Sequence, residues 1–279
     1  MDLTTTTALI TGANRGLGRH LATELLARGA TVYAGARNPD SVDLPGAKPI
    51  ALEITDPASV AAAAEAAGDV TLLINNAGSS TGANLLNGDL EAIRLEMDTH
   101  FFGTLSVVRA FAPKITANGG GSILNILSVL AWVTFPDVGA YSAAKSAEWS
   151  LTNSLRAQLA EQNIRVAGLH VGFMDTDMAR GITSPKNDPA EVARSPSTAS
   201  RPAHTRSSST TSAGKCRPDW PAASPPYTRN YHDQPCAGPH RTTIRGCANR
   251  AVTCKPAQSA VHLAGPQPLG GGSGTDERS

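Results

Sequence analysis

Apolar residues along the first 194 positions fall into short runs and helical stripes that take turns. Residues 3–10 and 31–35 read as strands, and 49–54 as a third. Between the first two, 16–28 carries Leu17, Leu21, Leu25 and Leu26 on one side at helical spacing. An Ala-rich helix is predicted over 57–67 and is entered through Asp56-Pro57, an N-cap candidate followed by a proline preset for the first helical position. Residues 70–74 are apolar almost throughout, as a strand buried on both faces must be. A long helical stretch spans 90–117, with a break expected near Pro113. A strand over 122–127, a helix over 139–162 and a strand over 165–171 complete the series.

Strand and helix patterns alternating through short connections predict a parallel sheet covered by helices on both faces. Any ligand is then expected beyond the carboxyl ends of the strands.

The pattern stops near Arg194. Residues 195–279 hold 11 of the 19 prolines, and their only Leu, Ile, Val, Met or Phe residues are Ile244, Val252, Val261, Leu263 and Leu269. Such a segment buries too little apolar area to offset its ordering entropy and is expected to be disordered. The boundary therefore separates a domain over 1–194 from a Pro/Ser/Arg-rich tail over 195–279.

Charge divides at the same place. Residues 1–194 hold 14 Lys and Arg against 19 Asp and Glu, and the tail holds 10 against 4. The basic charges of the tail are scattered among few aromatics, so they read as a solvated segment and not as a nucleic-acid surface. No apolar run approaches the roughly 20 residues needed to cross a bilayer, and Met1-Asp2 opens unlike a signal peptide. A cytoplasmic location follows by default. All four cysteines, Cys216, Cys236, Cys247 and Cys254, lie in the tail without C-x-x-C spacing, so neither a metal site nor a disulfide framework is expected.

Chemistry concentrates at the strand ends. Thr11-Gly12-Ala13-Asn14-Arg15-Gly16-Leu17-Gly18 follows the first strand and opens the first helix. Glycines there let the backbone turn and approach a pyrophosphate, and the helix N-terminus supplies free N–H groups and partial positive charge. Asn75-Asn76-Ala77-Gly78 follows the fourth strand. Ser128 ends the fifth, and Tyr141 and Lys145 stand four residues apart on one helix face. Reduction of a carbonyl needs a hydride and a proton donor. A free phenol titrates near 10. A neighbouring ammonium lowers that value and makes Tyr141 a usable acid, while a hydroxyl such as Ser128 donates where oxyanion charge develops.

With these motifs in this order, residues 3–194 resemble the short-chain dehydrogenase/reductase family. The resemblance implies a Rossmann-like doubly wound sheet that binds a nicotinamide dinucleotide, with Ser128, Tyr141 and Lys145 catalytic. Tyr141 and Lys145 would also touch the cofactor, as would Gly12, Asn14, Arg15, Gly16, Gly18, Ile54, Asn76, Ala77, Gly78 and Thr176. The second strand ends at Arg37 with no acid to hold a ribose diol. Arg37 and Arg15 suit a 2′-phosphate, so NADP(H) is expected ahead of NAD(H). Glu53 stands where the family usually has an Asp that contacts the adenine. His100, three residues before Gly103, stands where the family's tetrad has an Asn, and reads either as a proton relay or as a packed helix residue. Leu130, Trp132, Phe135 and Phe173 flank the catalytic positions and imply an apolar substrate pocket.

The implied activity is reduction of a small ketone or aldehyde, or oxidation of a secondary alcohol, in a homodimer or homotetramer. The alternative is a catalytically impaired dinucleotide-binding protein or regulator. That alternative draws on the tail, because the family continues past 194 with a helix and a last strand that are expected to be missing here. Read one frame over with free synonymous codons, the stretch from Ser195 can encode ALDGIEAGAHEVLVDD, which has the expected helix-then-strand character and implies a shifted reading frame.

Overall fold

The structure, a computed structural model, describes residues 2–194 and the two strand residues Ser207 and Ser208. The disorder expected of the tail, its cysteines and the shifted reading frame lie outside the described residues.

Six strands alternate with helices: β1 Thr7–Thr11, α1 Gly16–Ala27, β2 Thr31–Ala36, β3 Lys48–Ala51, α2 Pro57–Ala66 and β4 Leu72–Asn75. Then come α3 Leu90–Met97, α4 Thr104–Ala117, β5 Gly121–Ser128, α5 Gly139–Gln158, β6 Ile164–Val171 and α6 Pro189–Arg194. All strand pairs are parallel, in the order β3-β2-β1-β4-β5-β6. The sheet is doubly wound because successive residues point to opposite faces. Leu9, Leu73 and Ile123 face α2, α4 and α5, where Val60, Phe111 and Leu155 pack. Ile10, Ile74 and Leu124 face α1 and α6, where Leu17, Leu21 and Val192 pack.

Several expectations need correction. The first strand starts at Thr7, not residue 3, because the Asp2 carboxylate accepts the Thr4 N–H at 3.0 Å and winds Leu3–Thr5 into a 3-10 turn. The third strand stops at Ala51, because the Glu53 N–H is drawn to Ser59 Oγ at 2.9 Å as the chain turns into α2. The helix after Gly139 ends at Gln158, and a separate 3-10 turn covers Ala160–Gln162.

The break expected near Pro113 is absent. Helix α4 runs through it to Ala117, with Arg109, whose carbonyl loses its donor, on the exposed side. The irregularity lies upstream, where Asp98–Gly103 forms a π turn that joins α3 to α4 and carries His100. Beyond β6, a two-residue strand β7, Ser207–Ser208, pairs parallel with Leu169 and His170. Two residues leave most of the edge of β6 without a strand neighbour among the described residues.

Candidate active site

The loop between β1 and α1 is built for close approach. Gly12 and Gly16 adopt φ of +65° and +53°, a left-handed conformation that costs other residues energy. A Cβ on Gly18 would lie 2.3 Å from the Gly12 carbonyl oxygen and 2.4 Å from Asn76 Nδ2, so α1 presses directly on the loop. Asn76 holds it from the other side, its amide donating to the carbonyls of Thr11 at 2.9 Å and Gly12 at 3.1 Å. The Thr11 hydroxyl accepts the N–H groups of Asn76 and Ala77, both at 2.9 Å. Asn76 and Ala77 therefore brace the loop through bonds within the protein. Asn14 donates to Ser41 Oγ at 3.1 Å. Helix α1 has Arg15 at its N-cap position, with no side-chain cap bond and no acid in its first turn. Its N–H groups and partial positive charge meet no anion from these, which suits a dinucleotide pyrophosphate.

The two arginines lie at the strand-end surface. Arg15 and Arg37 are 68% and 78% exposed, in loose pairs with Asp177 at 3.6 Å and Glu53 at 3.8 Å. The Glu53 carboxylate turns back to accept the Thr55 N–H and hydroxyl at 3.2 and 2.9 Å. Ile54 is buried, and it lines an open cavity of about 170 Å3 with Asp98, Phe102 and Gly103 of the π turn. Thr176 lies over the glycine loop, its methyl 3.3 Å from where a Cβ on Gly16 would stand.

Ser128, Tyr141 and Lys145 come together as the spacing implied. The Ser128 hydroxyl accepts the Leu130 N–H at 3.1 Å and faces the Tyr141 phenol closely enough to lower its titration. Lys145 is buried, with its Nζ 5.9 Å from the Tyr141 ring centre. Nζ donates to the Ile126 carbonyl at 2.8 Å and to Glu148 Oε2 at 2.7 Å.

Beneath these three lies a charged cluster that sequence reading only partly found. His100, 1% exposed, meets the Tyr141 ring edge-on at 5.1 Å. Its Nε2 lies 2.9 Å from the Ser79 carbonyl and 3.3 Å from Glu96 Oε2, and its Nδ1 lies 3.9 Å from Glu148 Oε2. Glu96 and Glu148 are 0% and 2% exposed. Glu96 also accepts the Ser79 hydroxyl at 3.2 Å and the Thr81 N–H. Gly78 closes over this group, since a Cβ there would stand 2.8 Å from His100 Cε1. Both acids were missed. The available signal was a carboxylate on the inward stripe of each helix: Glu148 lies on the face of Leu151 and Leu155, and Glu96 one turn before His100.

The cluster changes the electrostatics expected of Tyr141. Burial pushes its phenol above the ordinary value, Lys145 pulls it down, and Glu148 and Glu96 push it up, so the phenol ends raised where the sequence implied acidification. Burial pulls the Lys145 ammonium down, but Glu148, Tyr141 and Glu96 more than offset it and it also ends raised.

The expected apolar wall is split. Leu130 is buried in the structure, Phe173 is half-buried, and Trp132 and Phe135 are largely exposed. Trp132 stacks on His170 at 4.0 Å, and the His170 Nδ1 lies 3.1 Å from the Ser128 carbonyl.

Comparison with known proteins agrees with this geometry. The family described as short chain dehydrogenase matches residues 6–187. A 1-deoxy-11-beta-hydroxypentalenate dehydrogenase of Streptomyces avermitilis is 32% identical over 203 residues, 67% of this chain and 75% of that protein. A carbonyl reductase (NADPH) 2 of Sus scrofa is 34% identical over 193 residues, 67% of this chain and 78% of that protein. A short chain dehydrogenase from Burkholderia cenocepacia, solved in complex with NADP, is 42% identical with a TM-score of 0.67 over 69% of this chain and 83% of that one. With the family model matching residues 6–187 and relatives above 30% identity over two thirds of its length, the chain belongs to the short-chain dehydrogenase/reductase family.

Proposed function

We propose that this chain is a cytoplasmic, NADP(H)-preferring reductase of small ketones or aldehydes that also runs the reverse oxidation of secondary alcohols. The observation that carries this reading is the meeting of Ser128, Tyr141 and Lys145 at the strand ends beside the uncapped glycine loop. When bound there, the nicotinamide supplies the hydride.

The protein does the rest. The Ser128 hydroxyl donates to the substrate carbonyl oxygen and stabilises charge as it develops. The Tyr141 phenol gives its proton to that oxygen. An ammonium has three N–H bonds, and Lys145 commits two of them to Ile126 and Glu148. The third is left for the phenol side and a ribose hydroxyl. Arg37 and Arg15, free of tight pairs, supply cations for a 2′-phosphate. The NADP complex of the Burkholderia relative supports the same preference. Exposed Leu95 of α3 and Phe102 of the π turn support pairing of copies into a homodimer or homotetramer.

The test is reduction of a carbonyl panel with NADPH and with NADH, followed at the reduced-nicotinamide absorbance. Wild type should favour NADPH, and Tyr141→Phe should lose about 100-fold or more in kcat. A Tyr141→Phe variant as active as wild type would overturn the assignment.

A further inference from the structure

Between the catalytic face and the outer helices, ionisable side chains from three segments meet in a space closed to solvent. Glu96 ends α3, His100 sits in the π turn, and Lys145 and Glu148 lie one turn apart on α5. The ordinary expectation for such a place is apolar packing, because a buried ion without partners is costly. We propose that Glu96, His100 and Glu148 form a buried acid–imidazole–acid line that clamps Lys145 and biases the site toward carbonyl reduction, with Glu148 as the positioning residue for the ammonium.

The distances order the line. The Ser79 carbonyl can only accept, so His100 Nε2, 2.9 Å away, carries the hydrogen of that bond. The same edge of the ring faces Glu96 Oε2 at 3.3 Å. The other nitrogen, Nδ1, is buried without a hydrogen-bond partner and points toward Glu148 Oε2 at 3.9 Å. That oxygen in turn accepts from Lys145 Nζ at 2.7 Å. A single carboxylate oxygen thus faces both the imidazole and the ammonium. The second oxygen of Glu148 is approached by the Thr104 hydroxyl at 3.4 Å.

The consequence for direction is electrostatic and rests on the reading of Tyr141 as the proton donor. Reduction consumes the phenol form: hydride adds to the carbonyl carbon, the phenol proton goes to the oxygen, and solvent restores one proton. Oxidation needs the phenolate to take the alcohol proton. A lone ammonium one helical turn away would favour the phenolate. Here two carboxylates stand behind that ammonium and oppose its field at Tyr141. The groups facing the phenol are Lys145 and Glu148 from its own helix, Glu96 from α3, His100 from the π turn, and Ser128 from β5. Burial holds the proton on oxygen, and Glu148 and Glu96 offset part of the pull of Lys145 that would otherwise release it.

The test has two independent readouts. Ultraviolet difference titration, with Tyr141→Phe as the blank, reads the phenolate of Tyr141 whether or not a substrate is known. Glu148→Gln keeps the shape and the Lys145 contact but removes the charge. It should move that titration about one pH unit lower. With a carbonyl and its alcohol, the ratio of oxidation to reduction kcat at one neutral pH should rise about tenfold, with the pH profiles of both directions displaced the same way. Glu96→Gln, on a different helix, should give a smaller shift of the same sign and serves if Glu148→Gln does not fold. A phenolate titration unmoved in both variants overturns the inference. Loss of turnover in every protein, wild type included, with the titration shift intact would refute the reductase reading and leave the charge line standing.

Discussion

Lys145→Met tests how tightly the centre is wired together. Methionine matches the lysine stem in length and removes the charge. The change leaves Glu148 Oε2 without its 2.7 Å donor and the Ile126 carbonyl without its 2.8 Å donor, both in places closed to water. Removing one partner of a buried ion pair costs about 3–5 kcal/mol, because the remaining charge stays buried. For a folded unit of this size, roughly 2–4 °C of melting temperature goes with each kcal/mol, so the variant should melt about 6 to 20 °C below wild type. Circular dichroism melts, backed by guanidinium unfolding, measure this. The double variant Lys145→Met with Glu148→Leu should recover at least half of the loss, since the stranded carboxylate is gone. Tyr141→Phe, equally inactive, should melt close to wild type because its ring is retained. If Lys145→Met melted within about 2 °C of wild type, the buried pair would not be structural and the reasoning would fail.

Three further outcomes follow from the geometry. Gly18→Ala places a methyl 2.3 Å from the Gly12 carbonyl; it should cost about 1–3 kcal/mol by denaturant unfolding and weaken NADPH binding in a fluorescence titration, whereas unchanged binding would show that the loop yields. Arg37→Ala should lower kcat/KM for NADPH about tenfold or more with little change for NADH, and an equal fall for both would remove Arg37 from 2′-phosphate recognition. Folding raises Tyr141 and Lys145 above their ordinary values of 10.0 and 10.5. Their contribution to stability is therefore complete below those values and lost as pH rises through the higher folded ones. Glu96, where burial pushes up but His100 and Thr81 pull further down, lies below 4.5; its contribution is present above that value and lost as pH falls. Unfolding midpoints across alkaline pH should fall less steeply in Tyr141→Phe, and an identical slope would contradict the assignment.

Much of this was legible in the sequence because it rests on local pattern. Strands β4 and β5 announce themselves as apolar runs, and the glycine loop by its place between a strand and a helix. Tyr141 and Lys145 share a face simply because they are four residues apart. What was not legible depended on partners distant in the chain. Pro113 reads as a breaker in isolation, yet it falls where the helix meets solvent. The π turn at Asp98–Gly103 leaves no compositional mark, since it reflects how α3 and α4 must both pack. Glu148 and Glu96 look like surface acids until Lys145 and His100 are brought to them from elsewhere. The register of Asn75 opposite Asn125, with Asn125 passing its amide to Thr152 at 2.9 Å, is likewise visible only once β4 and β5 are paired.

The π turn has a consequence for how the protein tolerates change in length. A wide turn holds one residue more than an α-helix needs over the same rise. Removing a single residue from that turn should let the two flanking segments join as one regular helix, with Phe111 and Ile115 still seated under the sheet. The loss would fall on the turn itself: the aim of the imidazole, the close approach of Gly103 to Ile54 and the packing of Phe101. The helix is therefore expected to tolerate the loss of one residue at this turn more readily than elsewhere along its length.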